Sequence, residues 1–289
     1  MTKNSSGRKQ VFDALLKQLS FTLEPSEARA IVRELFREVG ITSTELSTRP
    51  EAEISRAELE LMEGWTDRLV QGEPLQYVLG KTEFMGFVFH VASGVLIPRP
   101  ETEELVDWVL NQESESQTLK VLDLGAGSGC IGLSIACLRP QWEVEVLENS
   151  QEALAILNQN RENLAPNVTI HVIDIRECTH YLPKSAYDVW ISNPPYVLDS
   201  ERVELSPQVR DYEPHAALFV PDTNPLYFYT YLAEAGLECL KPGGAIYLET
   251  HRDFAEDVAE LLRNTGYIHV VTRKDLNENN RMVYGRIIS

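Results

Sequence analysis

A chain of 289 residues, 43% hydrophobic and 24% charged, is ordinary for a soluble protein of one large domain or two smaller ones. Its formal charge of −18 argues against a grip on bare nucleic acid, which needs a cationic track along the phosphates, and suits a small-molecule substrate or a basic protein partner. No apolar run approaches the roughly 18 residues of a membrane span, the start MTKNSSGRKQ is too polar for a signal peptide, and the four scattered cysteines contain no CxxC pair, so we expect reduced thiols in a cytoplasmic protein with no membrane partner and no zinc site.

Residues 1–76 read as a small helical bundle of four or five helices. In VFDALLKQLSF the apolar positions Phe12, Leu15, Leu16 and Leu19 share one face of a 3.6-residue period. SEARAIVRELFREVG repeats the pattern with Ile31, Leu35 and Phe36, and Gly40 stands where a C-terminal cap belongs. A third long helix opens on the capping-box spacing of Ser55 and Glu58, then turns Leu59, Met62, Trp65 and Leu69 inward. Residues 1–80 hold 13 acidic and 10 basic side chains, so −15 of the net charge lies beyond them.

Residues 77–99 change texture. TEFMGFVFHVASGVLIPRP is aromatic and β-branched, broken by glycine and closed by Pro98 and Pro100, which reads as a β-hairpin connector between domains. Residues 100–289 then alternate strands and helices: KVLDL, a helix over 131–138, EVEVL, a helix over 150–164, VTIHVI and YDVWIS. After a long loop come a helix near 225–240, AIYLE, a helix over 253–265, and the pair YIHVVTRK and RMVYGRII. Such alternation means an α/β fold with a mainly parallel sheet covered on both faces. The polar turn DLNENN makes the last two strands an antiparallel pair at one edge.

VLDLGAGSGCIG is a strand, a glycine turn and a helix start. Gly125, Gly127 and Gly129 let the backbone approach a ligand, and the N–H groups of the turn favour an anionic group. Glu148, ending the second strand, is placed to accept from two ribose hydroxyls. The pattern by itself leaves both NAD(P) and S-adenosylmethionine open, because Gly127, Gly129 and Gly132 also spell GxGxxG. Asp123 favours the second, since a carboxylate suits a sulfonium and an amino group better than a pyrophosphate.

ISNPPYV ends the fourth strand at the crevice where such sheets bind ligands. Proline cannot donate to a strand ladder, so the strand stops at Asn193. The side-chain oxygen of Asn193 and the carbonyl of Pro194 can each accept one hydrogen of a planar NH₂ group, aiming the nitrogen at a methyl carbon, with Tyr196 walling in the flat group. The two acceptors stabilise positive charge as it develops on nitrogen, so no strong base is required beforehand.

NPPY after the fourth strand, with GxGxG after the first, resembles the amino methyltransferases of the class-I S-adenosylmethionine fold. GEPLQYVLGKTEF, VLIPRPETEELV, YEPHAAL, LKPGG and the terminal DL…NNR…GR together resemble the HemK/PrmC family, from about Gly72 to the C-terminus. The resemblance implies a Rossmann-like, seven-stranded, mainly parallel sheet with an antiparallel edge strand, preceded by a helical domain that docks the partner. It implies methylation by S-adenosylmethionine, leaving S-adenosylhomocysteine, of the glutamine amide in the GGQ motif of class I peptide-chain release factors, with no metal and no direct nucleic-acid contact. Carried over by position, Asp123, Gly125, Ala126, Gly127, Ser128 and Gly129 hold the methionine part, Glu148 the ribose, and Asp174 with Ile175 the adenine. Asn193 lies between cofactor and substrate; Pro194, Pro195 and Tyr196 complete the amide site, and Asn193, Pro194 and Tyr196 are the catalytic candidates.

Arg99, Glu101 and Glu103 resemble the family's pocket-forming segment, though ion pairs bracing an interdomain joint explain them equally, and Glu213 reads either as a family position or as a charged loop residue. Three positions depart from the family: Glu148 for its commoner Asp, His251 where glycine is expected, read here as a surface residue at a helix start, and Glu278 for a turn glycine. The rival readings are a methyltransferase acting on a ribosomal-protein glutamine and an adenine-N6 nucleic-acid methyltransferase, the latter opposed by the acidic charge.

Overall fold

The computed structural model describes residues 7–289; the opening MTKNSS lies outside the described residues. The chain forms two compact units, one of residues up to Gly80 with Pro207–Tyr212, the other of Lys81–Ser206 with Glu213–Ser289. No described helix is long and apolar enough to cross a membrane.

The first unit is helical. α1 (Arg8–Leu19) buries Val11, Phe12, Leu15 and Leu19, and α2 (Pro25–Glu38) buries Ala28, Ile31, Val32, Leu35 and Phe36. The Phe12 and Phe36 rings meet at 5.7 Å. Gly40, just past α2, has φ +78°, the left-handed geometry that relieves a helix end. α3 (Ser43–Thr48) and α4 (Arg56–Val70) each start on a complete capping box; in α4 the Glu58 N–H donates to Ser55 Oγ at 3.2 Å and the Ser55 N–H to Glu58 Oε2 at 2.8 Å. α5 (Leu75–Leu79) stops at Gly80, φ +72°. Tyr77 therefore belongs to the last helix of the helical unit, and the strands begin only at Lys81. Tyr212, in the short helix Pro207–Tyr212, donates its hydroxyl to the Gln71 carbonyl at 2.7 Å.

The second unit opens with a hairpin of β1 (Lys81–Phe84) and β2 (Phe87–His90), turned by Met85 and Gly86 at positive φ. Phe84 and Phe89 sit in this unit's own core. After α6 (Pro100–Gln112) come β3 (Lys120–Leu124), α7 (Cys130–Leu138), β4 (Glu143–Leu147), α8 (Gln151–Leu164), β5 (Thr169–His171) and β6 (Tyr187–Ser192). The short β7 (Val197–Leu198) and β8 (Phe219–Val220) pair with each other, and β9 (Leu240–Glu249), β10 (Ile268–Lys274) and β11 (Asn280–Arg286) complete the main sheet. Its order is β10-β11-β9-β6-β3-β4-β5.

The five strands from β9 to β5 run parallel; β11 is antiparallel to β9, and β10 to β11. The last two strands pair at one edge as expected, with the reversed strand one position inside it. The chain winds outward from β3 through β4 and β5, then returns to the other side of β3 as β6. That reversal opens a crevice at the carboxyl ends of β3 and β6, where the glycine turn and Asn193 follow. β5 covers only the middle of VTIHVI, whereas β9 extends back through LKPGG. All four cysteines are free thiols; Cys137 is half-buried and the other three are buried.

Candidate active site

The glycine turn is held by backbone bonds. The Gly125 and Ala126 N–H groups both donate to the Leu147 carbonyl at the end of β4, at 2.9 and 3.0 Å. Gly129, at φ +83°, caps α7, and a Cβ there would come within 2.5 Å of Leu157 and 2.8 Å of Leu133. Gly132 serves packing instead: its Cβ would lie 2.5 Å from Val146, so the last glycine of GxGxxG lets α7 rest on the sheet.

A cavity of about 420 Å³ opens beside this turn, within the range of small-molecule sites. Gly125 to Ser128, Glu148, Asp174, Ile175, Arg99 and Asn193 to Pro195 all line it. Gly129, Asp123, Glu101 and Tyr196 do not. Glu101 lies in the first turn of α6, and its neighbour Glu103 accepts the Met85 N–H at 2.6 Å.

Counting acceptor sites shows what each carboxylate has free. Glu148 Oε1 accepts the Asn149 and Ser150 N–H groups at 2.8 and 2.9 Å, and Oε2 accepts Gly127 N–H at 2.8 Å. Three of about four sites are filled, leaving room for one further donor rather than two. Asp174 is fuller. Its Oδ1 accepts Arg176 N–H and Nε, both at 2.9 Å, while Oδ2 accepts Asn149 Nδ2 at 3.1 Å and the Arg176 guanidinium. The Arg176 bonds hold the Asp174 carboxyl below its usual range, and a new donor would have to replace one of the four. Arg176 and Asn149 both line the cavity and were not singled out from the sequence.

Asp123 is fully buried. Its Oδ2 accepts the Gly132 N–H at 2.9 Å, and Oδ1 has no hydrogen-bond partner among the described residues. Burial, reinforced by the Glu148 charge and opposed by the Gly132 bond, pushes its pKa up to about 7.

Asn193 follows directly on β6, whose Val189, Trp190 and Ile191 are fully buried and whose Ser192 hydroxyl donates to the Leu124 carbonyl at 2.6 Å. Asn193 Nδ2 donates to Thr102 Oγ1 at 3.1 Å, and the Thr102 hydroxyl donates to Glu249 Oε2 at 2.7 Å. Glu249, at the end of β9, also accepts the Tyr196 hydroxyl on Oε1 at 3.1 Å, and its backbone carbonyl accepts that of Tyr229 at 3.0 Å. Among the described residues no donor reaches Asn193 Oδ1 or the Pro194 carbonyl. Thr102 and Glu249 escaped sequence reasoning, although a carboxylate at the carboxyl end of a sheet strand is itself a signal for the crevice.

Arg99 and Glu213 brace the cavity wall. Glu213 is 3% exposed; its Oε1 takes the Arg99 guanidinium at 2.6 Å and its Oε2 the Ile97 N–H at 3.1 Å. It ties IPRP to YEPH and is no loose loop charge. His251 also departs from the reading as a surface residue: its side chain is 12% exposed, packed near the Tyr196 and Phe254 rings at 6.2 and 5.4 Å. Its Nδ1 accepts the Asp253 N–H and its Nε2 lies 3.2 Å from Glu201 Oε1, so both nitrogens are engaged within the chain.

Residues 102–206 match the Methyltransferase small domain family, and residues 12–80 the PrmC N-terminal domain family. A release factor glutamine methyltransferase of Bacteroides thetaiotaomicron is 37% identical over 260 residues, covering 90% of this chain and 92% of that protein. One from Koribacter versatilis is 36% identical over 278 residues, covering 96% and 98%. A third, from Clostridium acetobutylicum, is 38% identical over 240 residues, covering 82% and 84%.

Proposed function

This chain belongs to the release factor glutamine methyltransferase family, and we propose that it transfers a methyl group from S-adenosylmethionine to the side-chain amide nitrogen of the GGQ glutamine in class I peptide-chain release factors. It is an S-adenosylmethionine-dependent protein-glutamine methyltransferase. The observation that carries the site assignment is the orientation of Asn193: its NH₂ group is turned to Thr102, so Oδ1 is the end left to accept, beside the Pro194 carbonyl, which has no partner among the described residues.

The cavity's residues fit the cofactor: an open glycine turn, one remaining acceptor site on Glu148, and the apolar side of Ile175. In this reading Gly125–Ser128 hold the methionine part with Gly129 shaping the turn behind them, Glu148 takes one ribose hydroxyl, and Ile175 packs on the adenine, whose edge Asp174 meets by exchanging one of its four present donors. When bound, the cofactor supplies an electrophilic methyl group on a sulfonium. Asn193 Oδ1 and the Pro194 carbonyl each accept one N–H of the glutamine amide and hold its plane while positive charge develops on nitrogen. As the new bond forms, nitrogen keeps one proton and releases the other to solvent. Pro195 stiffens the backbone that carries the carbonyl. We assign no metal and no nucleic acid to the reaction, S-adenosylhomocysteine as its second product, and the cytoplasm as its place. The helical unit would dock the release factor.

The test is transfer from labelled S-adenosylmethionine to purified release factor carrying GGQ or GGA, with ribosomal protein and nucleic acid as parallel acceptors. Label in GGQ alone is expected. Label in the ribosomal or nucleic-acid arm with none in GGQ would overturn the substrate assignment.

A further inference from the structure

We propose that Glu249 is a positioning residue for methyl transfer, setting through the Thr102 hydroxyl which end of the Asn193 amide faces the cavity. The inference rests on the reading above, in which Asn193 receives the substrate amide. A threonine hydroxyl has one hydrogen, and a carboxylate in its ionised form is acceptor-only. Thr102 must give its hydrogen to Glu249, at 2.7 Å, so toward Asn193 it has only lone pairs. The Asn193 amide must then turn its NH₂ to Thr102, at 3.1 Å, and its oxygen the other way. Flipping the amide would set two oxygens against each other at about 3 Å with no hydrogen between them, and would cost the Asn193–Thr102 hydrogen bond.

The same carboxylate holds the far end of the motif. Tyr196, three residues after Asn193, donates to the other oxygen of Glu249 at 3.1 Å. Both polar ends of NPPY are thus referred to one group on a different strand. Glu249 is 1% exposed, and a buried carboxylate is costly compared with an apolar side chain of similar size. Its surroundings are Thr102 on α6, the Tyr196 and Tyr229 hydroxyls, and the charges of Arg281 on β11 and Glu101 on α6, and among the described residues no cation bonds it as half of an ion pair. Orienting two hydroxyls, and Asn193 through one of them, is the work left for it.

Glu249→Gln replaces one of two acceptor oxygens by a donor. Its NH₂ can give to Thr102, whose hydrogen is then free for Asn193 Oδ1, and the amide loses its preferred sense. The expected result is a fall in kcat of roughly 10²-fold, the scale seen when one preorganised polar contact is lost, with cofactor Kd changed less than about threefold. Thr102→Val should fall as far, Thr102→Ser should recover most of the activity, and the Glu249→Gln, Thr102→Val double variant should be no worse than Thr102→Val alone, because both act through one contact. Wild-type kcat in Glu249→Gln, or equal losses in Thr102→Ser and Thr102→Val, would overturn the inference while leaving the reaction assignment intact. Should the wild-type protein fail to label GGQ, the reaction assignment falls. The Asn193 side-chain NH₂ signals in ¹⁵N NMR, assigned with Asn193→Asp, then decide this inference: they should shift in Glu249→Gln and Thr102→Val but not in Thr102→Ser, and unchanged signals in all three sink it.

Discussion

Asp123 and Glu249 are both carboxyl groups sunk at the ends of parallel strands, and burial raises the pKa of each. Their surroundings differ. Glu249 meets two hydroxyl donors, whereas Asp123 meets one backbone N–H and keeps an unpartnered oxygen. Asp123 therefore carries a stability signature. Unfolded, it ionises near 3.8; folded, at about 7. Below the first value both states are protonated and nothing is lost. As pH rises to the second, the unfolded chain releases a proton that the folded one retains, and stability falls, by a few kcal/mol in all. Asn cannot ionise, so Asp123→Asn should gain on wild type from pH 4 to pH 7 and level off above. Denaturation midpoints of both cofactor-free proteins across that range check this; a constant difference would mean that Asp123 stays ionised throughout.

At the scale of elements, Glu278 stands in the β10–β11 turn at φ +64°, where only glycine is free of Cβ strain. Its ion pair with Lys274 is exposed and contributes little. Relief of strain should outweigh the added freedom of the unfolded chain, so Glu278→Gly should stabilise the protein by about 0.5–1 kcal/mol in equilibrium unfolding. A loss of stability would show that the turn depends on the side chain. Local features of this kind were legible in the chain: the capping box of α4, the glycine turn, the proline stop after β6. The inner place of β11 shows in its burial, MVYG being continuously buried while IHVVTRK alternates as an edge strand does. Thr102 and Glu249 were not legible as a pair, because they lie 147 positions apart and meet only when α6 is laid beside the end of β9. Gly244 is a similar case: the sheet brings the Tyr187 carbonyl to 3.2 Å from where its Cβ would be, which LKPGG alone does not reveal.

On the scale of the whole molecule, the question is what the helical unit adds to a catalytic unit that already contains the cavity, Asn193 and the glycine turn. A two-acceptor clamp of the kind proposed would read one amide, and any flexible glutamine could in principle reach it. Selectivity for a folded factor needs binding energy from surfaces outside the cavity, and remote contacts of that kind are what let an enzyme separate a protein from a peptide of the same local sequence. If the helical unit docks the factor, a short GGQ peptide should be methylated with kcat/KM at least ~10²-fold below that of the intact factor, a gap of about 2.7 kcal/mol. Cofactor affinity should be the same in both assays, because the cavity is common to them. Steady-state kinetics on the two substrates decides it. A peptide as good as the whole factor would leave the helical unit without a part in recognition and make the clamp the sole reader of the substrate.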